Sequence, residues 1–360
     1  MDKESKLPSL KFGQYEINVP IFQGGMSVDI SGTKLALAVS KCGGAGTIGG
    51  VGRCFVSEKY QTLGIYEADR LALRDELQKA KDIDPHGIYG VNILVAVTDY
   101  NNLVQTAVDN GAKFIVSGAG LPKELPNLTA NHPEIALIPI VSSVQGVRIM
   151  IRLWQRYKRI PDAIIIEEPA TAGGHLGVTS KQNIDDPDLK LEFVIPEARK
   201  YLEAQNLEIP LIAAGGIWDR ADINRMLKLG ASGVQMATRF VTTPECDAPP
   251  EFKQKYLDAK KEDIIIIQSP VGIPGRAIKT NFLEQVEKGE IQDVCQADCL
   301  KSCVCRDSRD SGEKYCIIQA LANARKGKVE EGIVFAGSNA WRSKEQGIIP
   351  VSKIFEELTS

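Results

Sequence analysis

Eight short apolar or β-branched runs, most of them followed by a helical pattern, set the outline of this chain. They are Pro20–Met26, Gly44–Gly50, Ile88–Val95, Phe114–Gly120, Ile135–Ser143, Ala163–Pro169, Ile209–Gly216 and Gly233–Phe240. Each is continuously apolar rather than alternating, as expected of parallel strands buried on both faces. Between them, Gly32–Lys41, Glu67–Lys81, Asn101–Asn110, Gln145–Tyr157, Pro196–Ala204 and Arg220–Leu229 space apolar residues as amphipathic helices do, with Asp99 and Asp219 at N-cap positions. Eight β–α units in this length predict an α/β fold, a TIM (β/α)8 barrel. Gly44-Ala45-Gly46-Thr47-Ile48-Gly49 fits the dinucleotide pattern GxGxxG, but it follows a helix and is itself a strand. The dinucleotide fingerprint needs strand, glycine turn, then helix, so a Rossmann reading is set aside.

After the eighth strand the rhythm breaks. Residues 242–331 hold a helical segment (Phe252–Lys261), the Ile264–Ile267 run, the Pro270–Gly275 loop and most of the cysteines. Residues 1–241 and 332–360 are expected to form the barrel, with Val351–Leu358 packing back on it, and 242–331 a smaller substrate or lid domain. A formal charge of -3 offers no basic field for nucleic acid. The opening MDKESKLPSLKFG lacks the apolar stretch of a signal peptide, and no run reaches the roughly 20 residues of a membrane span. The expectation is a cytoplasmic protein acting on a small molecule, with no nucleic-acid or membrane partner; its oligomeric state is open, a homodimer included.

In such a barrel the chemistry sits at the C-terminal ends of the strands, with phosphate often bound after strands seven and eight. Here those places hold Ala213-Ala214-Gly215-Gly216-Ile217 and Gln235-Met236-Ala237-Thr238-Arg239. Gly215 and Gly216 can turn bare backbone N–H groups toward an anion, and Thr238 adds a hydroxyl. Arg239 adds a charge or a structural pair. His86 and His132 lie in turn-like sequence, whereas His175 follows strand six inside Ala172-Gly173-Gly174-His175-Leu176-Gly177. Histidine titrates near neutrality and suits proton transfer, although a structural histidine bonding a loop is equally consistent with position alone. Gly24, Gly25 and Met26 would admit a flat ring at the end of strand one, and Asn92 is an amide inside an apolar strand that needs a partner. Ser117, Ser142 and Ser143 end strands four and five.

Together these segments resemble the nitronate monooxygenase family (formerly 2-nitropropane dioxygenases), which includes the FMN-dependent enoyl-ACP reductases. The resemblance rests on Gln23-Gly24-Gly25-Met26, Gly90-Val91-Asn92, Ser117-Gly118-Ala119-Gly120, Ala172-Gly173-Gly174-His175, Ala213-Ala214-Gly215-Gly216-Ile217 and Gln235-Met236-Ala237-Thr238-Arg239-Phe240. It implies FMN in the barrel mouth, with the ring near Gly24, Gly25, Met26 and Asn92. Ser142, Gly173, Gly174, Gln235 and Met236 would line the same site, the phosphate would lie near Gly215, Gly216, Ala237 and Thr238, and His175 matches the family's active-site histidine. Two features depart from the family: Ala237 stands where glycine is common, and the cysteine-bearing insertion is long. Ser269–Arg276 and Gly337–Ala340 resemble loops that cover the site.

The activity implied is oxidation of nitronates or nitroalkanes by O₂ to a carbonyl compound and nitrite. The alternative is an NAD(P)H-dependent reductase of enoyl thioesters or quinones, and a third reading is a flavin-free phosphate-binding barrel. Cys295, Cys299, Cys303 and Cys316 supply four thiols for an iron–sulfur cluster or a zinc ion. Their spacing matches neither the ferredoxin nor the zinc-ribbon pattern, and reduced structural thiols fit equally well.

Overall fold

The computed structural model describes residues 6–60, 62–291, 295, 297–307 and 315–360. Eight parallel strands form the centre: β1 (Ile21–Gln23), β2 (Gly46–Gly49), β3 (Tyr89–Asn92), β4 (Phe114–Ser117), β5 (Ala136–Val141), β6 (Ile164–Glu167), β7 (Leu211–Ala214) and β8 (Gly233–Met236). Every one falls within a run read from the sequence. From β2 to β8 each pairs with the next in chain order, and β8 pairs with β1. The ring closes between β1 and β2, where Phe22 bridges Ala45 in parallel and Ala45 N–H donates to the Ile21 carbonyl at 2.9 Å. The sheet is a (β/α)8 barrel.

Strand parity divides two cores. Successive side chains point to opposite faces, so Ile164 and Ile166 join the outer layer under the helices while Ile165 points into the barrel. Phe22, Phe114, Val116, Ala136, Ile138, Ile212 and Ala214 fill the interior with it. A short N-terminal hairpin (Leu10–Phe12 with Tyr15–Ile17) contributes Leu10, Phe12 and Ile17 to this interior. Phe12, Phe22 and Phe114 meet there with ring centroids 4.9–5.7 Å apart. The hairpin went unread in the sequence, because two three-residue strands carry no periodicity.

The outer helices follow their strands closely. Asp219 caps the helix Arg220–Lys228 by accepting from the Asp222 N–H at 3.1 Å, and Asp222 returns the bond. Asp99 stands at the N-cap of Tyr100–Asp109 but makes no side-chain cap bond. The helix expected from Pro196 begins at Leu191 instead. Proline inside a helix forfeits one ladder bond, and this helix tolerates Pro196, with the Glu168 carboxylate accepting from the Leu191 N–H at 3.3 Å at its start.

Beyond β8 a small antiparallel sheet lies over the mouth: β9 (Ile264–Gln268), β10 (Pro274–Ile278) and β11 (Val334–Phe335). The barrel's own Gly174–His175 pairs with β10. Phe252, Tyr256 and Ile267 of this region share one apolar cluster with the barrel's outer layer. The helix Val351–Thr359 returns to pack against the helices Thr33–Lys41 and Arg220–Lys228, filling the eighth helical place. No described helix is long and apolar enough to cross a membrane.

Candidate active site

Above Ile165 and Ile212 the interior turns polar. By the same parity Asn92 and Glu167, which end their strands, and Gln235, next to the end of β8, face inward, and they line a cavity of about 690 Å³ at the C-terminal end of the barrel. That volume lies within the span of small-molecule and cofactor sites, roughly 300–1,000 Å³. Gly24, Gly25, Met26, Ser142, Gly173, Gly174, His175, Gly215, Gly216, Met236, Ala237 and Thr238 line it too. The structure therefore gathers His175 and the thirteen residues that the resemblance assigns to the cofactor around one space. Val271 and Ile273 from the β9–β10 turn and Gly337, Ser338 and Asn339 cover it. Cys295, Cys299, Cys303 and Cys316 are not among the lining residues.

His175 is fixed from three directions. Its backbone pairs with Gly275 of β10, its Nε2 lies 2.8 Å from the Ser269 hydroxyl, and Phe335 meets its ring edge-on at 5.1 Å. The Ser269 oxygen also accepts from the Val271 N–H at 3.2 Å, which orients the hydroxyl. Burial pushes the imidazole down to about 4, so it is neutral at physiological pH. His86 is exposed, and His132 pairs with Glu134.

The loop that presents His175 is clasped from outside. Buried Arg276 of β10 donates to the carbonyls of Pro169 (3.1 Å), Ala170 (3.0 Å) and Ala172. On the other side, Ser338 N–H donates to the Thr171 carbonyl at 3.0 Å. A Cβ on Gly173 would stand 2.5 Å from the Ala336 carbonyl carbon and the Gly337 nitrogen, so only glycine lets these backbones meet.

Sequence reasoning passed over Glu167. It ends β6 facing the cavity, and its carboxyl makes no hydrogen bond or ion pair among the described residues, while burial pushes that carboxyl up to about 7 against the pull of Arg276. Its neighbour Glu168 points the other way, to the start of the helix Leu191–Ala204. The available signal was an acid one step beyond three isoleucines, two residues after inward-facing Ile165. Arg239 stays out of the cavity: it donates to the Trp218 carbonyl and Gln346, both at 2.8 Å, and pairs with Glu357 of the C-terminal helix. Ser117 donates to the Ile93 carbonyl at 2.8 Å, and Ser143 caps the helix Val144–Gln155.

The lining fits FMN. Asn92 Oδ1, Gln235 Oε1 and Thr171 Oγ1 are buried there with no hydrogen-bond partner among the described residues, a cost that a polar ligand would relieve. A Cβ on Gly25 would come within 2.4 Å of Asn92 Cβ, so the wall beside the amide is bare backbone. Gly215 and Gly216 hold consecutive positive φ angles of 101° and 69°, which shape the turn after β7 where a phosphate would be held. Asn339 Nδ2 fixes this turn by donating to the Gly216 carbonyl at 2.7 Å, and Thr238 Oγ1 accepts from Gly337 N–H at 2.9 Å, leaving its own proton to give.

Comparison with known proteins agrees with this geometry. The family model described as nitronate monooxygenase matches residues 9–360. A probable nitronate monooxygenase of Staphylococcus saprophyticus is 23% identical over 85% of this chain and 89% of its own. A hydroxy-methyl-oxo-octahydroindene-carboxyl-CoA dehydrogenase of Mycobacterium tuberculosis is 26% identical over 76% of this chain, and the match spans 66% of that protein. Among solved structures, FabK from Thermotoga maritima aligns with a TM-score of 0.70 at 25% identity, covering 95% of this chain and 92% of its own. Nitroalkane oxidase from Streptomyces ansochromogenes shares the fold, with a TM-score of 0.70 at 18% identity and 95% of each chain covered. Matched from residue 9 to residue 360, with the fold and the cavity in place, the chain belongs to the nitronate monooxygenase family of FMN-dependent oxidoreductases.

Proposed function

We propose that the protein oxidises nitronates with O₂ to a carbonyl compound and nitrite, with FMN in the cavity and His175 against the substrate. The observation that carries this reading is a neutral, firmly oriented imidazole facing a cavity with orphaned polar groups, in a chain of this family. FMN, when bound, supplies the redox chemistry. Gly24, Gly25, Met26, Asn92, Ser142, Gly173, Gly174, Gln235 and Met236 would border its ring. Gly215, Gly216, Ala237 and Thr238 would hold its phosphate.

The chain's own task is to bind and orient. His175 donates a hydrogen bond to the nitro oxygens of an anionic nitronate, and in a neutral nitroalkane it receives the α-proton. An imidazole that burial keeps uncharged is a weak base, so the cavity favours the preformed anion. The residues of 242–331 that cover the mouth act as a lid that keeps bulk water from the reacting carbon.

The test is nitrite release from a nitronate by the FMN-loaded enzyme in air. Stoichiometric carbonyl and nitrite are expected; no turnover in air would sink the proposal. The names of the carboxyl-CoA dehydrogenase and of FabK support a second reading, NAD(P)H-dependent reduction of an enoyl thioester or quinone. Anaerobic mixing with NAD(P)H separates the two, because rapid flavin bleaching with no nitronate present belongs only to the reductase.

A further inference from the structure

His175 meets the lid through a hydroxyl, and a hydroxyl has one proton to give. Its Nε2 lies 2.8 Å from Ser269 Oγ, while its Nδ1 makes no hydrogen bond among the described residues and is not sealed from the cavity. Ser269 is itself fixed. It is 2% exposed, its N–H donates to the Ile273 carbonyl at 3.2 Å, and its carbonyl accepts from Gly272 N–H at 2.9 Å, so the turn is tied across its base. Two groups brace the turn from the far side: Tyr315 Oη donates to the Gln268 carbonyl at 3.0 Å, and Val304 N–H donates to the Pro270 carbonyl at 2.7 Å.

The proton positions at this junction follow from what each group can give and take. A neutral imidazole has a proton on one nitrogen and a lone pair on the other; a serine hydroxyl gives one proton and accepts two. Val271 N–H already fills one acceptor direction of Ser269 Oγ. If an Nε2–H filled the other, the serine's own proton would have no acceptor among the described residues, a costly state for a buried hydroxyl. If Ser269 donates to the Nε2 lone pair instead, every group at the junction is satisfied. The ring proton then sits on Nδ1, the nitrogen left to meet a ligand.

We infer that Ser269 is a positioning residue that fixes His175, from the lid, as the Nδ1–H tautomer, so that the substrate meets a hydrogen-bond donor and not a base. The tautomer stands apart from the functional reading. Its consequence rests on that reading and narrows the substrate class to the preformed anion. A nitronate oxygen accepts directly from Nδ1–H, and no proton changes hands. A neutral nitroalkane needs the opposite arrangement. Nδ1 must first lose its proton while Nε2 gains one and gives it to Ser269 Oγ; only then can Nδ1 take the α-proton. Ser269 must turn its own proton away to allow this, so the lid penalises the nitroalkane.

The chain has three histidines, so nitrogen NMR of the whole FMN-loaded protein carrying ¹⁵N-histidine is readable. The signals lost in His175→Asn identify His175. A protonated Nδ1 and a bare Nε2 are expected in the wild type, and a protonated Nε2 overturns the inference. Kinetics read the consequence. Without the serine proton both tautomers become accessible, so Ser269→Ala should lower the ratio of kcat/KM for a nitronate to that for its parent nitroalkane about tenfold, the worth of one hydrogen bond. Ser269→Thr, which keeps a hydroxyl, should restore the ratio. A purely structural loss would weaken both substrates equally, so an unchanged ratio in a folded Ser269→Ala overturns the selectivity role. If the wild type turns over neither substrate, the nitronate reading falls, and the NMR result still decides the tautomer.

Discussion

Burial moves the imidazole and the carboxyl of the cavity in opposite directions, His175 down to about 4 and Glu167 up to about 7. Between those limits both are uncharged, and an anionic substrate meets no like charge. Above pH 7 Glu167 ionises and repels it. The kcat/KM for a nitronate should therefore fall as pH rises through about 7, and Glu167→Gln should flatten that limb; an unchanged limb would remove Glu167 from the account. The same residue bears on stability. Ionising Glu167 is harder in the folded chain than in the unfolded one, so the folded state loses stability as pH rises from the ordinary carboxylate range to about 7. Glu167→Gln should raise the melting temperature at pH 8 by a few degrees and change it little at pH 4. For His175→Asn, a larger loss with neutral nitroalkane than with preformed nitronate is expected, because asparagine donates a hydrogen bond but takes no proton. Equal activity of this variant and wild type on both substrates would show that His175 has no catalytic role.

At the scale of elements, the loop after β6 is held by a strand that the chain reaches only after all eight barrel strands are laid down. Arg276 spreads its guanidinium over three carbonyls of that loop, a fork that a lysine ammonium does not reproduce. Arg276→Lys should lower kcat/KM about tenfold, the worth of one charged hydrogen bond, with secondary structure unchanged by circular dichroism; full activity would mean that Gly174–His175 is positioned without the clasp. Strand positions were legible because runs such as Ile164-Ile165-Ile166 are buried on both faces and need no partner to be recognised. The Gly174–His175 ladder was illegible because two residues carry no period and their partners lie at 275 and 276. Glu167 went unread for a related reason: its place facing the cavity follows from the parity of Ile165, which only the assembled barrel reveals. Arg239 illustrates the reverse, a charge beside the phosphate turn that folding diverts to Trp218, Gln346 and Glu357.

For the molecule as a whole, the cavity draws its walls from β3, β5, β6, β7 and β8 as well as from the loop after β1 and the covering loops. A ligand seated there joins segments from Gly24 to Asn339. FMN at a hundred times its Kd should add about 2.7 kcal/mol to the stability of apoprotein, read as a rise in melting temperature that riboflavin, lacking the phosphate, matches only in part. Equal shifts with FMN and riboflavin would argue against a phosphate contact at Gly215, Gly216 and Thr238. The eighth helical place has a consequence for synthesis. β8 closes the strand ring at Met236, but Val351–Thr359, the helix that covers it, follows only after the lid segment. A nascent chain paused on the ribosome anywhere in between would carry a completed ring with one bare flank, which makes that interval the time of greatest need for a chaperone.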